Sequence, residues 1–281
     1  NIVPWQIVCA MKKAVIKVVP VLPDGTLDLD YFQKIFSPKT RLVAVTHVSN
    51  SLGTINPVRE IIDIAHQHGI PVLLDGAQAA PHLWIDVQSL DVDFYAFSSH
   101  KMFGPTGIGI LYGKTSWLNV LPPWQGGGEM IEEVKWTGTT YNTLPFKFEA
   151  GTPDIAGAIG LAAACDYLNE HDRKVLALYE QTLLERCTTG MEQIPGVLTI
   201  GKAKSKSPVY SFVVDGIHPY DIGTILDQQG IAVRTGHHCT QPLMDQFQIP
   251  GTVRASFAFY NTIEEVDQLI AATRKAIKIL S

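Results

Sequence analysis

Residues 97–107 read Phe-Ser-Ser-His-Lys-Met-Phe-Gly-Pro-Thr-Gly and place a lysine between an apolar segment and a glycine-rich turn. The segment that precedes them, Val92 to Phe97, is apolar enough to form a strand inside a sheet. The polar side chains after it would then emerge at one edge of that sheet, where open α/β folds place their ligand sites. This stretch therefore predicts an α/β fold with Lys101 at its functional edge.

Lys101 has two interpretations. A lysine beside a strand end is most often a solvated loop amine, and His100 next to it then only ends the strand. The alternative is a Schiff-base lysine, in which burial lowers the pKa of the amine below its usual value of about 10.4 and frees it to react with a carbonyl cofactor. Ser98 and His100 would then donate hydrogen bonds to a phosphate on that cofactor. Lys101 alone does not decide between the two.

Length and composition limit the class of protein. The chain has 281 residues, of which 46% are hydrophobic and 17% are charged. It can therefore bury a sizeable core, and it is long for a single domain, so we expect one large and one smaller lobe. Its net charge of -5 gives no electrostatic reason to expect nucleic acid or a membrane surface as a partner. No apolar run is long enough to span a membrane, and nothing resembles a signal peptide. We expect a cytoplasmic protein, or one of the plastid stroma if its source is a eukaryote.

The four cysteines are Cys9, Cys165, Cys187 and Cys239, and their spacing contains no Cys-x-x-Cys pair. This pattern favours reduced thiols rather than a zinc site or a disulfide framework. Cys165 and Cys187 lie in helical patterns and are expected to be packing residues. Cys239 lies in a loop of small and polar residues.

Strand and helix patterns alternate in the first part of the chain. Strands are predicted at 14–21, 41–48, 70–74, 92–97 and 109–112, and helices at 28–36 and from the capping residue Asn56 through Pro57 to about His68. Strands joined through helices require crossover connections, which predict a mainly parallel sheet with helices on both faces. We expect residues 1–170 to form a large domain.

The rest of the chain predicts a smaller α+β domain at residues 171–281. Residues 121–153 form an irregular segment of a kind that usually binds a ligand or a neighbouring subunit. After them, helices are predicted at 154–170, 173–194, 219–229 and 263–280, and strands at 197–200, 209–214 and 253–258. Thr262 and Glu265 form the pattern of a capping box at the start of the last helix.

Polar residues follow two further strands at the edge that carries Lys101. Asp75 is either a helix cap or a carboxylate that keeps a pyridinium nitrogen protonated, which lets the ring accept electrons. Gln78, about one helical turn later, could reach a phenolic oxygen on that ring. Asn50 follows the strand at 41–48 and is either a turn residue or another contact to the ring. Three consecutive strand ends with such residues predict a cofactor site.

The motifs Val48-Ser49-Asn50, Asp75-Gly76-Ala77-Gln78 and Ser98-x-His100-Lys101 with Gly104-Pro105-Thr106-Gly107 resemble those of fold-type I pyridoxal 5'-phosphate (PLP) enzymes of the aminotransferase class V group. The motifs Arg234-Thr235-Gly236-His237-His238-Cys239, Arg254-Ala255-Ser256 and Tyr260-Asn261 are similar to those of group II (Suf-type) cysteine desulfurases, which are relatives of selenocysteine lyases. The resemblance extends from Asn1 to the carboxyl terminus.

The resemblance implies a role for each matching residue. Lys101 becomes the Schiff-base lysine, Asp75 the partner of the pyridine nitrogen, and Gln78 the contact to the phenolic oxygen. Ser98 and His100 would bind the phosphate, and Asn50 would contact both cofactor and substrate. Arg254 would bind the substrate carboxylate, with Arg234 close by. Gly151 and Thr152 would bind the phosphate of the cofactor in a neighbouring subunit. The last of these implies a homodimer.

Cys239 decides the reaction that the resemblance implies. Histidines beside a thiol can favour the thiolate, whereas His237, His238 and Cys239 are too few and too contiguous for a tetrahedral zinc site. The family reaction converts L-cysteine to L-alanine with a persulfide on Cys239, whose sulfur passes to an acceptor protein of the Suf system for iron-sulfur cluster assembly.

Two alternatives remain. One is a selenocysteine lyase, acting on L-selenocysteine, or a related PLP-dependent lyase or aminotransferase in which Cys239 is not a nucleophile. The other is a catalytically inactive binding subunit, because family members carry a further segment before the position of Asn1, with a histidine that stacks on the cofactor ring.

Overall fold

The computed structural model describes residues 2–281, which form two four-stranded sheets and a separate two-stranded hairpin. The helices are α1 (Ile2–Lys12), α2 (Leu29–Lys34), α3 (Val58–Gln67), α4 (Val87–Leu90), α5 (Thr115–Val120), α6 (Ile155–Asn169), α7 (Arg173–Glu192), α8 (Pro219–Asp227), α9 (Gln241–Phe247) and α10 (Ile263–Leu280). The strands are β1 (Val43–Thr46), β2 (Val72–Asp75), β3 (Phe94–Ser98), β4 (Gly109–Gly113), β5 (Ile131–Lys135), β6 (Gly138–Tyr141), β7 (Val197–Ile200), β8 (Val209–Val214), β9 (Arg234–Gly236) and β10 (Thr252–Ser256).

The first sheet has the strand order β1-β2-β3-β4. Strands β1, β2 and β3 are parallel, whereas β4 runs antiparallel to β3 as its edge neighbour. The β1-β2 connection passes through α3, as a parallel crossover requires. The predicted α/β class with a mainly parallel sheet is confirmed.

Helix α3 covers one face of this sheet because its apolar residues recur at helical spacing. Ile62 and Ala65 of α3 are completely buried and belong to one core cluster with Val72, Leu74 and Tyr95 of the sheet. Burial of an aliphatic side chain of this size contributes roughly 1.5–3 kcal/mol. Helix α3 therefore stabilises the sheet from the face opposite to the one from which the Asp75 side chain projects.

On the other face, helix α5 packs against the end of the sheet. Trp117 lies beside Phe94, with ring centroids 6.4 Å apart, and Leu118 lies so close to Gly113 that a Cβ there would come within 2.7 Å of it. Ala44 and Leu111 of this face are exposed. Helices thus lie on both faces, although part of the second face is accessible.

The second sheet is antiparallel throughout and has the order β7-β8-β10-β9. Helices α7, α8 and α10 pack against it and share its largest core cluster. The bounds of β7, β8 and α10 agree with the prediction, and the capping box of Thr262 and Glu265 is present. The predicted domain boundary at residue 170 stays a prediction.

The strand predicted at 14–21 is wrong. The segment has no strand, and its one bridge pairs Val21 with Leu27. Val15 is 82% exposed, because no neighbouring strand among the described residues pairs with this part of the chain. β-branched residues favour a strand only where a sheet provides neighbours.

Two further local predictions also need correction. Asn56 does not cap α3, since Pro57 is the N-cap residue and the Asn56 amide instead donates to the Thr46 carbonyl at 2.8 Å. Residues 121–153 are not irregular throughout, because they contain the β5-β6 hairpin, whose turn exposes Trp136 completely.

All four cysteines are free, and Cys165 and Cys187 pack in core clusters as expected. No helix within residues 2–281 is both long and apolar enough to span a bilayer.

His47 is a buried polar residue at the end of β1. Its Nδ1 atom lies 3.0 Å from the Tyr95 hydroxyl, and burial lowers its pKa from 6.5 to about 4. The imidazole is therefore neutral in the folded protein at neutral pH. At acidic pH, unfolding exposes the His47 ring to solvent, and the ring then binds a proton.

This burial predicts acid sensitivity. Between pH 6.5 and about 4 the unfolded chain binds a proton at His47 that the folded chain does not bind, so stability is fully present above pH 6.5 and declines as the pH falls through this window. The free energy of unfolding, measured in urea at pH 7, 5.5 and 4.5, should decrease. His47→Asn should make the decrease smaller but not remove it, since burial lowers the pKa of His238 to about 4 as well, and an unchanged slope would contradict this assignment.

Candidate active site

The carboxyl ends of the parallel strands meet at one edge of the first sheet. The register pairs Thr46 with Asp75 and Asp75 with Ala96, and the loop after β1 begins with His47, whose N–H donates to the Asp75 carbonyl at 2.8 Å. Because side chains alternate along a strand, Ser98 projects from the same face as Ala96 and Asp75. The predicted meeting of the loops after β1, β2 and β3 is therefore present.

Asp75 begins a tight turn. One of its carboxylate oxygens accepts a hydrogen bond from the Ala77 N–H at 3.0 Å, and Gln78 lies half-buried in the same turn. Gly76 packs so closely on Tyr95 that a Cβ there would lie 2.0 Å from its ring. Only glycine fits at this position, which fixes the path of the backbone directly after Asp75.

Tyr95 lies beneath this turn and was not identified from the sequence. Burial, and to a smaller extent the charge of Asp75, raise the pKa of its hydroxyl, so it remains neutral. The Tyr95 hydroxyl also lies 3.0 Å from Nδ1 of His47. A neutral polar pair thus supports the turn that carries the Asp75 carboxylate.

Lys101 ends a short 3-10 turn, Ser99–Lys101, at the end of β3. The Met102 N–H donates to the Ser99 carbonyl at 2.8 Å, and the Ser98 hydroxyl lies 2.8 Å from Nδ1 of His100. Ser99 and Met102 are buried, whereas His100 and Lys101 are exposed. The burial that accompanied the Schiff-base interpretation of Lys101 is not observed within residues 2–281, because the turn directs Ser99 and Met102 into the core instead.

Arg254 lies opposite this edge, on β10 of the second sheet. It pairs in register with Arg234 of β9, and its Nη1 donates to the Asn50 carbonyl at 2.6 Å. Its Nε atom is buried and has no hydrogen-bond partner. Burial and then the charge of Arg234 lower the pKa of Arg254, yet a guanidinium remains charged at any ordinary pH. A half-buried cation with an unused donor suits a carboxylate.

Cys239 follows β9 in a loop with unusual backbone geometry. Gly236, His238 and Cys239 have φ values of 106°, 52° and 63°. The Cys239 side chain is exposed, and Nη2 of Arg234 lies 3.8 Å from its Sγ. The Asn50 amide donates to the His238 carbonyl at 2.5 Å. Asn50 therefore contacts both Arg254 and the Cys239 loop.

His238 is 2% exposed. Burial, with a smaller contribution from the charge of Arg254, lowers its pKa to about 4. The expectation that a histidine beside the thiol favours the thiolate is wrong for His238, since a neutral ring supplies no charge. Arg234 is the cation adjacent to the sulfur, and His237 is exposed.

Gly151 and Thr152 are joined to the Lys101 turn by no hydrogen bond within residues 2–281. The Gly151 N–H donates to Gly128 at 2.9 Å, and Thr152 is exposed. Their phosphate-binding role stays a prediction, as do the individual roles of the other site residues.

Two further residues that hold the site, besides Tyr95, were not identified from the sequence. Ser211 donates to the Ser51 carbonyl at 2.5 Å, and Thr252 lies against the His238 ring. Both are buried hydroxyls on strands of the second sheet. Small polar residues within apolar strands were the available signal, but their partners are more than ten residues away and cannot be identified from spacing. Within the described chain, no group of three or more His, Cys, Asp or Glu side chains could hold a metal ion.

The comparisons with known proteins agree with this geometry. The model of the aminotransferase class V family matches residues 1–269. A cysteine desulfurase of Klebsiella pneumoniae (strain 342) is 51% identical over 281 residues, which are 100% of this chain and 69% of that protein.

Solved structures of two proteins are also similar. The cysteine desulfurase CsdA from Escherichia coli, in an S-sulfonic acid form, superimposes with a TM-score of 0.96 at 39% identity, over 99% of this chain and 69% of that chain. A variant of C-DES with glycine covalently linked to its PLP cofactor superimposes with a TM-score of 0.84 at 26% identity, over 97% and 71%. C-DES is described as a cystine C–S lyase.

The sheet order, the site residues at its edge and these similarities agree with a PLP-enzyme fold of type I. The chain belongs to the aminotransferase class V family, among relatives that are PLP-dependent cysteine desulfurases.

Proposed function

We propose that this chain is a PLP-dependent cysteine desulfurase that converts L-cysteine to L-alanine and carries the sulfur as a persulfide on Cys239. The observation that carries the proposal is the position of Asn50, which is hydrogen-bonded to Arg254 and to His238. This junction joins the loop after β1, at the sheet edge that carries Lys101, to the Arg254 guanidinium and to the loop of the exposed Cys239, which supports the proposal.

The side chains at this edge fit PLP by their chemistry. Lys101 would hold the aldehyde carbon, the Asp75 carboxylate would pair with the pyridine nitrogen, and Gln78 would contact the phenolic oxygen. Ser98 and His100, already 2.8 Å apart, would share the phosphate. When bound, PLP supplies an electron sink for negative charge at the substrate α-carbon. Asn50, at the same edge, would contact both cofactor and substrate.

Each step of the proposed reaction uses a residue of this chain. Arg254 holds the substrate carboxylate and so orients the cysteine, and Lys101 Nζ removes the proton from its α-carbon. The Cys239 thiolate then attacks the substrate sulfur, so that an S–S bond forms as the Cβ–S bond breaks. The carbon skeleton takes up protons and leaves as alanine, which balances the persulfide on Cys239.

The exposure of Cys239 supports transfer of this sulfur to another protein, because a persulfide at the surface can meet a second thiol. We propose a sulfur-acceptor protein of the Suf system as that partner, iron-sulfur cluster assembly as the use of the sulfur, and the group II type as the subfamily. We also propose a homodimer, in which Gly151 and Thr152 reach the neighbouring subunit's phosphate, and a cytoplasmic or plastid-stromal location.

A selenocysteine lyase or another PLP-dependent lyase is the second candidate. The structural similarity to C-DES favours it, since that protein is a C–S lyase. In such an enzyme the carbon–selenium or carbon–sulfur bond of the substrate would break without attack by Cys239, so substitution of Cys239 distinguishes the two candidates.

Cys239→Ser should reduce sulfur release and alanine formation from L-cysteine at least about a hundredfold, because a hydroxyl does not accept sulfur. Alanine and sulfide are measured together, with Cys165→Ser as the control that leaves both unchanged. Undiminished alanine production by Cys239→Ser would exclude the desulfurase mechanism. Pyruvate in place of alanine, assayed alongside, would support a C–S lyase, because elimination of sulfide leaves an aminoacrylate that hydrolyses to pyruvate.

Lys101→Ala should abolish the visible absorbance that PLP acquires when it binds a lysine covalently, and should lower activity at least about a hundredfold. Reconstitution with PLP followed by absorbance spectroscopy measures the first effect. Lys39→Ala, also at the surface, is the matched control and should keep the absorbance. A wild-type spectrum from Lys101→Ala would show that another amine holds the cofactor.

A further inference from the structure

We propose that His238 and Thr252 are a pair of positioning residues that hold the Cys239 loop in the conformation from which its thiol attacks. The inference rests on the proposed function of Cys239 as the sulfur acceptor. Neither residue touches the reacting atoms, and both act through the backbone of the loop.

The backbone of the loop does not favour this conformation by itself. His238 and Cys239 are consecutive non-glycine residues with φ values of 52° and 63°, in the left-handed region. Each such residue costs about 1–2 kcal/mol relative to ordinary backbone conformations. The conformation therefore persists only because surrounding contacts impose it.

Thr252 provides the first of these contacts. Nε2 of His238 lies 2.8 Å from the Thr252 hydroxyl and 3.2 Å from the Thr252 carbonyl. Thr252 is completely buried at the start of β10, where it pairs in register with Gly236. The imidazole thus joins the loop to the strand on which Arg254 lies two residues later.

Asn50 provides the second contact to His238, at the backbone carbonyl and not at the ring. Its amide donates to the His238 carbonyl, which belongs to the peptide group that leads into Cys239. The ring of His238 is held by the second sheet, and its carbonyl is held by the loop that follows β1. The peptide before the thiol is consequently fixed from both halves of the site.

The choice of histidine supports a positioning role rather than a packing role. Nδ1 of His238 is buried without a hydrogen-bond partner, which costs about 1–3 kcal/mol. An apolar side chain would fill the space without this cost. What an apolar side chain lacks is the hydrogen bond to Thr252, so that bond is the property that the site requires.

The test compares three variants of the full chain reconstituted with PLP. Thr252→Val removes the hydroxyl at nearly constant volume, and Thr252→Ser keeps it. Thr199→Val is the matched control, because the Thr199 hydroxyl lies 2.8 Å from the Tyr210 hydroxyl in the same sheet but away from the loop. Hydrogen exchange of the amides at 236–240 and steady-state kcat and KM for L-cysteine are measured for each.

Thr252→Val should accelerate exchange at 236–240 severalfold and lower kcat about tenfold to a hundredfold, because a nucleophile that is misplaced by about 1 Å loses rate on that scale. KM should change less than about twofold, since Arg254 still binds the carboxylate. Thr252→Ser should restore both properties, and Thr199→Val should leave both at the wild-type level.

Unchanged hydrogen exchange at residues 236–240 in Thr252→Val would show that the Thr252 hydroxyl does not hold the Cys239 loop. Faster exchange with an unchanged kcat would overturn its catalytic relevance, as would an equal loss of kcat in Thr199→Val. Failure of the proposed function has a different signature, because Cys239→Ser would then retain full alanine production whatever the exchange of the loop.

Discussion

The site depends on the attachment of one loop of the first sheet to the second sheet. Residues 49–56 leave the end of β1, and Arg254, Ser211 and the His238 carbonyl hold their first part by hydrogen bonds. Backbone bonds continue the attachment, from Ser207 N–H to the Gly53 carbonyl and from Ile55 N–H to the Ser205 carbonyl. Each bond contributes only about 0.5–1.5 kcal/mol, and more where a charge takes part. Together they fix the loop after β1 against the second sheet.

The distribution of charge follows from the same attachment. Arg234 and Arg254 are register partners on adjacent strands, so their like charges are held close, and this proximity contributes to the lowered pKa of Arg254. A carboxylate between them would relieve that repulsion, which makes this side of the site receptive to an anion before any ligand arrives. His238 adds no further charge, because burial keeps it neutral. Arg254 of the second sheet thus supplies a cation at the Asn50 loop, which follows the first sheet at the edge that carries Asp75 and Lys101.

The sequence predicted those elements whose signal is local. Helix α10 has its capping box and its apolar periodicity within one segment, and β8 consists of β-favouring residues apart from Ser211, so their bounds agree with the structure. The segment at 14–21 has the same β-favouring composition but no strand partner among the described residues, and it is not a strand. Strand-forming residues predict a strand only when a pairing neighbour exists, and composition does not reveal that neighbour.

The same distinction applies within the site. Asp75, Ser98 and Lys101 could be assigned to one edge because strand ends of a parallel sheet meet there. The sequence left the exposure of Lys101 open between two interpretations and did not reveal the neutrality of His238, because both depend on distant residues that pack around each side chain.

The proposed role of Cys239 places two opposing requirements on this residue, and the structure is compatible with both. A nucleophile needs a fixed position, which favours burial, whereas a persulfide that passes to another protein needs an accessible sulfur. Here the fixed residue and the accessible residue are neighbours, with His238 buried and Cys239 exposed. Left-handed backbone at both positions turns one side chain inward and leaves the next at the surface. Because the hydrogen bonds that order the loop act on His238, the thiol needs no contact of its own with the core and remains accessible for the two reactions that we propose for it.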